Sequence, residues 1–142
     1  MDGGVARRDA VAPSLGLPRM HMEAGERRDF LPDVAVAADR AGAGAIVLEH
    51  GYGAGMGVRE AAYLAASPKV RFAGYDEVLS SDVVAVVRCP AEPALRAMRP
   101  GALLVTMLHF ATRPRRTRLI AELGLRAISL DGVVDDVGRR QV

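Results

Sequence analysis

The sequence is poor in aromatic residues, lysine and cysteine. Aromatic residues make up 4% of the 142 positions, tryptophan is absent, and Lys69 is the only lysine. The net charge is only +2, and the arginines that carry the basic balance are spread along the chain among acidic residues. Proteins that bind nucleic acid use clustered basic residues or stacking aromatic side chains. The composition therefore argues against a nucleic-acid partner.

The scarcity of cysteine and histidine limits the kinds of site that the chain can build. With Cys89 alone, an internal disulfide and a site made of several thiolates are excluded. A lone cysteine after an apolar run is typical of a small buried hydrophobic residue. The histidines, His21, His50 and His109, lack the spacing of metal ligands, so we predict no metal site.

Long apolar runs are also missing. No run reaches the roughly 18 residues that a membrane-spanning helix needs. The N-terminus lacks the apolar stretch of a secretory signal. We therefore expect a cytoplasmic protein that does not interact with a membrane.

What the chain does contain is a regular alternation of short apolar runs and helical segments, in a sequence that is 50% hydrophobic. Residues 1–13 lack periodicity and are predicted to form a loose leader, and residues 14–142 to form a single domain. The predicted strands are 14–17, 45–49, 70–73, 83–87, 102–107 and 126–130, and the predicted helices are 32–41, 58–66, 75–79, 91–98 and 113–123. This alternation predicts a three-layer, doubly wound α/β fold of the flavodoxin-like type with a mostly parallel sheet.

Basic residues follow three of the apolar runs. Arg19 and His21 come after the first run, Arg88 follows 83–87, and His109 follows 102–107. The carboxyl ends of parallel strands lie along one edge of a sheet, which is where open α/β sheets bind ligands. The pattern therefore predicts a small anionic ligand at that edge.

Each candidate also has an ordinary structural explanation. A guanidinium at a buried strand end needs an anionic partner, so Arg88 would contact either a substrate or an acid such as Glu49. The imidazole of His109 could exchange protons near neutral pH or simply cap the end of a strand. Glu49 and His50, at the end of the second strand, could support the same cleft.

The remaining arginines also leave alternatives open. Arg27 and Arg28 lie in a polar loop, where arginines are solvated, pair with acids such as Glu26 or Asp29, or bind a carboxylate. A cluster at the start of the last helix fits either a solvated helix face or a patch that attracts an acidic partner; it contains Arg113, Arg115, Arg116 and Arg118.

Three segments carry a family resemblance. Gly16-Leu17-Pro18 is followed by a charged loop that contains arginine and then by Pro32. The segment 81–90 ends in Arg88-Cys89-Pro90, and the segment 99–109 ends in Leu108-His109. In this order and at these separations, the segments resemble the N-terminal part of the alanine dehydrogenase and pyridine nucleotide transhydrogenase family. The resemblance covers nearly all of residues 14–142.

The resemblance implies roles for three residues. Arg27 matches the arginine that binds the substrate carboxylate, and His109 matches the histidine that polarises the substrate carbonyl and exchanges a proton with it. Arg88 stands where alanine dehydrogenases carry a lysine that contacts the 2-oxo acid. Arginine binds a carboxylate well but cannot release a proton near neutral pH. This departure leaves open a larger substrate, such as those of the opine-forming or saccharopine dehydrogenases.

The resemblance also implies NAD(H), which members of the family bind on a second, Rossmann domain. The sequence shows no such domain, because the glycines of segment 51–57 do not have the spacing of the dinucleotide fingerprint. That segment is interpreted as a loop lining the cleft.

We therefore expect the substrate-binding, catalytic part of an NAD(P)-dependent amino-acid dehydrogenase, which has no turnover by itself. Its partners would be a small 2-oxo acid or amino acid and a nucleotide-binding domain or chain. The alternative is a stand-alone module that binds small acids, or a subunit that docks a separate Rossmann chain. The tail after residue 130 leaves the last strand uncovered, which suggests a chain that continues or meets a partner, and a homo-oligomer also stays open.

Overall fold

A computed structural model describes residues 11–21 and 28–141 of the chain. These residues form one six-stranded sheet in the order β3-β2-β1-β4-β5-β6, and every strand pair is parallel. The strands are β1 (Ser14–Leu17), β2 (Ala45–Glu49), β3 (Val70–Ala73), β4 (Val83–Arg88), β5 (Leu103–Met107) and β6 (Arg126–Ser129). Most of the predicted leader, and Arg27, lie outside the described residues.

Five α-helices connect the strands. They are α1 (Asp33–Arg40), α2 (Glu60–Ala66), α3 (Tyr75–Leu79), α4 (Glu92–Ala97) and α5 (Pro114–Glu122). Three short 3₁₀ turns also occur, at Ala54–Met56, Phe110–Thr112 and Leu130–Gly132. All five helices were predicted, whereas the 3₁₀ turns were not.

The helices cover both faces of the sheet. On one face, Ala35 of α1 and Tyr63 of α2 pack against Ile46 and Leu48 of β2. On the other face, Val78 of α3 packs against Val47 of the same strand, and α4 and α5 pack against β4 and β5. Neighbouring residues of one strand thus enter opposite cores, as a strand buried on both sides requires.

The predicted fold class, a three-layer doubly wound α/β domain, is confirmed. Both flavodoxin-like and Rossmann-like sheets belong to this class, and the strand order here is that of the Rossmann-like sheets. Successive strands run outward from β1 to β3, and the chain then returns to place β4 beside β1. The carboxyl ends of β1 and β4 therefore flank the topological switch point, where sheets of this type bind ligands.

Close packing at the centre of the sheet explains one glycine. A Cβ atom at Gly16 would collide with the carbonyl oxygen of Val78 and with the side chain of Ser81. Only glycine lets β1 approach the end of α3 this closely.

The last residues form a small structure beyond β6. Val134 and Arg140 form an isolated antiparallel bridge, and the amide of Gln141 donates a hydrogen bond to the carbonyl oxygen of Val133. Across the described part of the chain, no helix is both long and apolar enough to cross a membrane.

Candidate functional site

Arg88 and His109 line the same cavity at the carboxyl edge of the sheet. Arg88 is the last residue of β4 and pairs in register with Met107, the last residue of β5. His109 follows two residues later, so the parallel pairing of two strands brings together residues that are far apart in sequence. The cavity has a volume of about 300 Å³ and is lined by Arg88, Cys89, Met107, His109, Arg113 and Arg116.

The backbone at His109 adopts an unusual conformation. Its φ angle is +50°, in the left-handed region, and it is the only described residue other than glycine with a positive φ. This conformation costs about 1–2 kcal/mol for an L-residue, and such strain is concentrated at functional sites. The turn that it creates ends β5 and begins the 3₁₀ turn Phe110–Thr112.

Asp131 holds this turn in place from the end of β6. Its Oδ1 atom accepts hydrogen bonds from the amide of Leu108 at 3.1 Å and the amide of His109 at 3.3 Å. The hydroxyl of Ser129 also donates to Oδ1. The Oδ2 atom lies 3.5 Å from Nδ1 of His109. One carboxylate thus fixes both the backbone and the ring of the histidine.

These hydrogen bonds keep Asp131 ionised. The hydroxyl of Ser129, followed by the amides of His109 and Leu108, lowers the pKa of Asp131 to about 2 against the opposing effect of desolvation. At neutral pH the carboxylate therefore carries a full negative charge beside the imidazole.

The start of α5 brings two more cations to the cavity: Arg113, which directly precedes the helix, and Arg116, in its first turn. The Nη1 atom of Arg116 donates a 3.5 Å hydrogen bond to the carbonyl oxygen of Leu108. Burial raises the pKa of the Cys89 thiol, and the positive charge of Arg116 partly opposes this shift. Cys89 is therefore a neutral wall of the cavity, and it is half-buried rather than fully buried as the sequence predicted.

A second cavity of about 220 Å³ lies at the switch point, and Arg88 borders both cavities. Its other walls include Arg19, His21 and Tyr75. The carboxylate of Glu49, which is 8% exposed, accepts hydrogen bonds from the amide of Arg19 at 2.6 Å and from Nε2 of His21 at 2.8 Å.

His21 also packs on the ring of Tyr75, with 4.3 Å between the ring centroids. Burial and then the charge of Glu49 raise the pKa of the Tyr75 hydroxyl. The residues after β1 are thus held by β2 and α3. Sequence analysis assigned Glu49 only a supporting role at the cleft and did not pair it with His21, so it missed this network.

The glycine-rich loop after β2 does not fit a dinucleotide. The amide of Gly53 donates a 2.7 Å hydrogen bond to the carboxylate of Asp29, and the amide of Gly51 donates a 2.8 Å hydrogen bond to Glu60. A phosphate would need those amides and would be repelled by both acids. A Cβ atom at Gly53, whose φ is +82°, would lie 2.7 Å from Cε2 of Tyr63, so this glycine serves packing.

The same loop anchors the segment that carries the predicted carboxylate-binding arginine. The amide of Phe30 donates to the hydroxyl of Tyr52 at 2.9 Å, and its carbonyl oxygen accepts from the hydroxyl of Tyr63 at 2.7 Å. Burial raises the pKa of both tyrosines, so both hydroxyls stay protonated. Arg28 precedes this anchor and is exposed, whereas Arg27 lies outside the described residues.

The structure thus brings two of the predicted site residues, Arg88 and His109, to one cavity. Sequence analysis missed Asp131 altogether, although an acid directly after a predicted strand on the same edge is a signal that could have been used. His50 is exposed and stacks on Phe72, with 6.3 Å between ring centroids. The described residues contain no group of three or more histidine, cysteine or acidic side chains that could hold a metal ion.

Fold and cavity together define a class of protein: an open, parallel α/β domain with an arginine-lined cavity at the carboxyl edge of its sheet. A sequence model of a protein family matches residues 16–142 of the chain. That family is described as the alanine dehydrogenase/PNT, N-terminal domain. The chain belongs to this family. No curated protein sequence matches it significantly.

Two solved structures are similar to the chain. A protein titled L-alanine dehydrogenase is 25% identical, with a TM-score of 0.75 over 88% of this chain and 34% of that protein. The transhydrogenase from Sinorhizobium meliloti is 18% identical, with a TM-score of 0.72 over 83% of this chain and 35% of that protein, and this likeness concerns the fold alone. The chain therefore spans about a third of the length of either protein.

Proposed function

We propose that the chain is the substrate-binding, catalytic part of an NAD(P)-dependent dehydrogenase that interconverts a 2-oxo acid and an amino acid. Family membership and the similarity to an L-alanine dehydrogenase support this assignment. The observation that carries it is the shared cavity of Arg88 and His109 at the carboxyl edge of the sheet. A 2-oxo acid needs a cation to bind its carboxylate and a proton donor for its carbonyl oxygen, and this cavity contains a guanidinium and an imidazole.

Arg88 binds the carboxylate next to the reacting carbon. Its planar guanidinium can donate two parallel hydrogen bonds to one carboxylate, which fixes the orientation of the substrate as well as its position. On the basis of the family resemblance, we propose that Arg27 binds the same carboxylate as Arg88. The departure from lysine at Arg88 means that this residue orients the substrate and does not move protons.

His109 is the proton donor. Its Nδ1 atom faces Asp131, so Nε2 is the atom that we assign to the substrate oxygen. When the 2-oxo acid reacts with ammonia, the carbonyl oxygen must leave as water, and the protonated ring supplies a proton to that oxygen. Asp131 keeps the ring oriented, with Nδ1 toward its own carboxylate and Nε2 available for the substrate oxygen.

The hydride of such a reaction comes from a nicotinamide nucleotide. The described residues do not fit that group, because the amides of the glycine-rich loop are already bonded to Asp29 and Glu60. We therefore assign the nucleotide to another domain or a partner chain. Residues of this chain contribute substrate binding, orientation and electrostatics.

Calorimetric titration of the chain with pyruvate and longer 2-oxo acids tests the proposal. We expect saturable binding that Arg88→Ala weakens at least about tenfold, through the loss of charge-assisted hydrogen bonds. Arg40→Ala, an exposed arginine at the end of α1, is the matched control and should leave affinity unchanged. Absence of binding to every 2-oxo acid, or tight binding of NADH to this chain alone, would contradict the proposal.

A further inference from the structure

We propose that the substrate is a 2-oxo acid with a second carboxylate, and that Arg113 and Arg116 bind that second group. This inference rests on the proposed function, since it names the substrate class of the same site. The inference concerns the side of the cavity that the start of α5 forms. The proposed function gives roles to Arg88 and His109 but none to the arginines on that side.

A monocarboxylate bound at Arg88 leaves the other two arginines of the cavity, Arg113 and Arg116, without a ligand group. Arginine supplies three of the cavity's six lining residues, and none of the six is acidic. Asp131 lies behind His109 and is engaged by the backbone amides of Leu108 and His109. The contacts of Asp131 are therefore with Ser129 and the turn at His109, and not with the arginines.

Arg113 and Arg116 have no anionic partner in the described part of the chain. The ion pairs found there involve neither guanidinium, and the contact of Arg116 is with the carbonyl oxygen of Leu108. Two neighbouring guanidinium groups repel each other unless an anion lies between them. An anionic ligand in the cavity removes that repulsion.

The positions of Arg113 and Arg116 at the start of α5 allow both side chains to reach the same ligand group. Arg113 and Arg116 are three residues apart, which places them on the same side of the start of α5. Arg115 and Arg118 instead line a separate groove between α4 and α5. That groove also contains Glu92 and Glu122, so its charge is mixed, whereas the described residues that line the cavity beside His109 include no acid.

A matched pair of ligands isolates the second carboxylate. 2-Oxoglutarate and 2-oxopentanoate have the same carbon chain length, and only the first ends in a carboxylate. We expect calorimetry to show that 2-oxoglutarate binds the chain at least about tenfold tighter, because charge-assisted hydrogen bonds add to its affinity. The advantage should shrink as salt concentration rises.

Variants assign the preference to α5. Arg113→Gln/Arg116→Gln should remove the advantage of 2-oxoglutarate, because it lowers the affinity for 2-oxoglutarate much more than that for 2-oxopentanoate. Arg118→Gln, on the same helix but outside the cavity, should keep the advantage. If the double variant does not fold, Arg113→Gln alone, at an exposed position, should lower the advantage of 2-oxoglutarate.

The outcomes separate this inference from the proposed function. Equal binding of the two ligands by the wild-type chain overturns the second carboxylate site and leaves the dehydrogenase proposal standing. Tighter binding of inorganic pyrophosphate than of 2-oxoglutarate overturns it as well, because the arginines would then serve a phosphate ligand. If no 2-oxo acid binds, the proposed function itself fails.

Discussion

Asp131 places a carboxylate oxygen 3.5 Å from Nδ1 of His109, although 22 residues separate the two in the chain. The same carboxylate accepts the amide hydrogen of His109, so it bonds to the residue at two points. The pairing of β5 with β6 makes this contact, because it brings the residues that follow both strands to the same edge. Asp131 is therefore a positioning residue for the proposed proton donor.

Asp131→Asn should reduce stability in a pH-dependent way. The folded pKa of Asp131 is about 2, below its ordinary value of 3.8, so the ionised form stabilises the fold. That contribution is complete above the unfolded pKa and is lost as pH falls through the folded pKa. The difference in Tm between wild type and Asp131→Asn should thus be constant from about pH 5 to 8 and shrink between about pH 4 and 2.

Asp136→Asn is the control for this measurement, because Asp136 is exposed and lies in the same tail. Its thermal unfolding should match that of the wild type at each pH. A Tm difference for Asp131→Asn that stays the same down to about pH 2 would show that the charge of Asp131 does not contribute.

Gly53→Ala should destabilise the fold more than Gly57→Ala. Both glycines have positive φ, +82° and +74°, so alanine is strained at either position. Only at Gly53 would the new Cβ atom also meet Tyr63, whereas nothing lies within 4 Å at Gly57. We expect about 1 kcal/mol for Gly57→Ala and at least about 2 kcal/mol for Gly53→Ala in urea unfolding. Equal losses would exclude a steric role for Tyr63.

Tyr63→Phe should cost about 1–2 kcal/mol of unfolding free energy, because it leaves the carbonyl oxygen of Phe30 without its donor. Tyr52→Phe removes the acceptor of the Phe30 amide and should have a similar effect. The two losses should not be additive, since both hydroxyls hold the same residue. A double-variant cycle by urea unfolding measures this coupling, and additive losses would show that they act separately.

Arg88→Lys tests whether Arg88 binds the substrate through its charge alone or also through the planar shape of its guanidinium. Lysine keeps the positive charge but lacks the planar fork of arginine, so the affinity for a 2-oxo acid should fall by about three- to tenfold, less than for Arg88→Ala. Calorimetry on the three proteins gives the order of affinities. Wild-type affinity in the lysine variant would show that Arg88 acts through charge alone.

Much of the fold could be predicted from the sequence because its signals are local. Continuous apolar runs bounded by glycine and proline located all six strands, and β1, β2 and β3 have the predicted bounds. The helices begin and end within two residues of their predicted limits. The three 3₁₀ turns were missed because they have no apolar periodicity and depend on contacts such as that between Asp131 and the turn at His109.

The site could be predicted only in part. Arg88 and His109 follow apolar runs, and that local pattern was sufficient to place them on the carboxyl edge. The convergence of Arg113 and Arg116 on the same cavity was not foreseen, because the sequence fits a solvated helix face equally well. Glu49 was considered as a partner for Arg88, but its carboxylate contacts His21 and the amide of Arg19.

The sequence by itself determined the alternation of strands and helices, and with it the edge of the sheet on which the proposed site lies, because hydrophobic periodicity and turn residues act over a few neighbouring positions. Only the tertiary structure decided which charged groups meet. The order of the strands and the direction of α5 set those distances, and both depend on how the two cores pack across the sheet. The cavity that Arg88, Arg113 and Arg116 share with His109, and the contact of His109 with Asp131, are therefore properties of the folded chain.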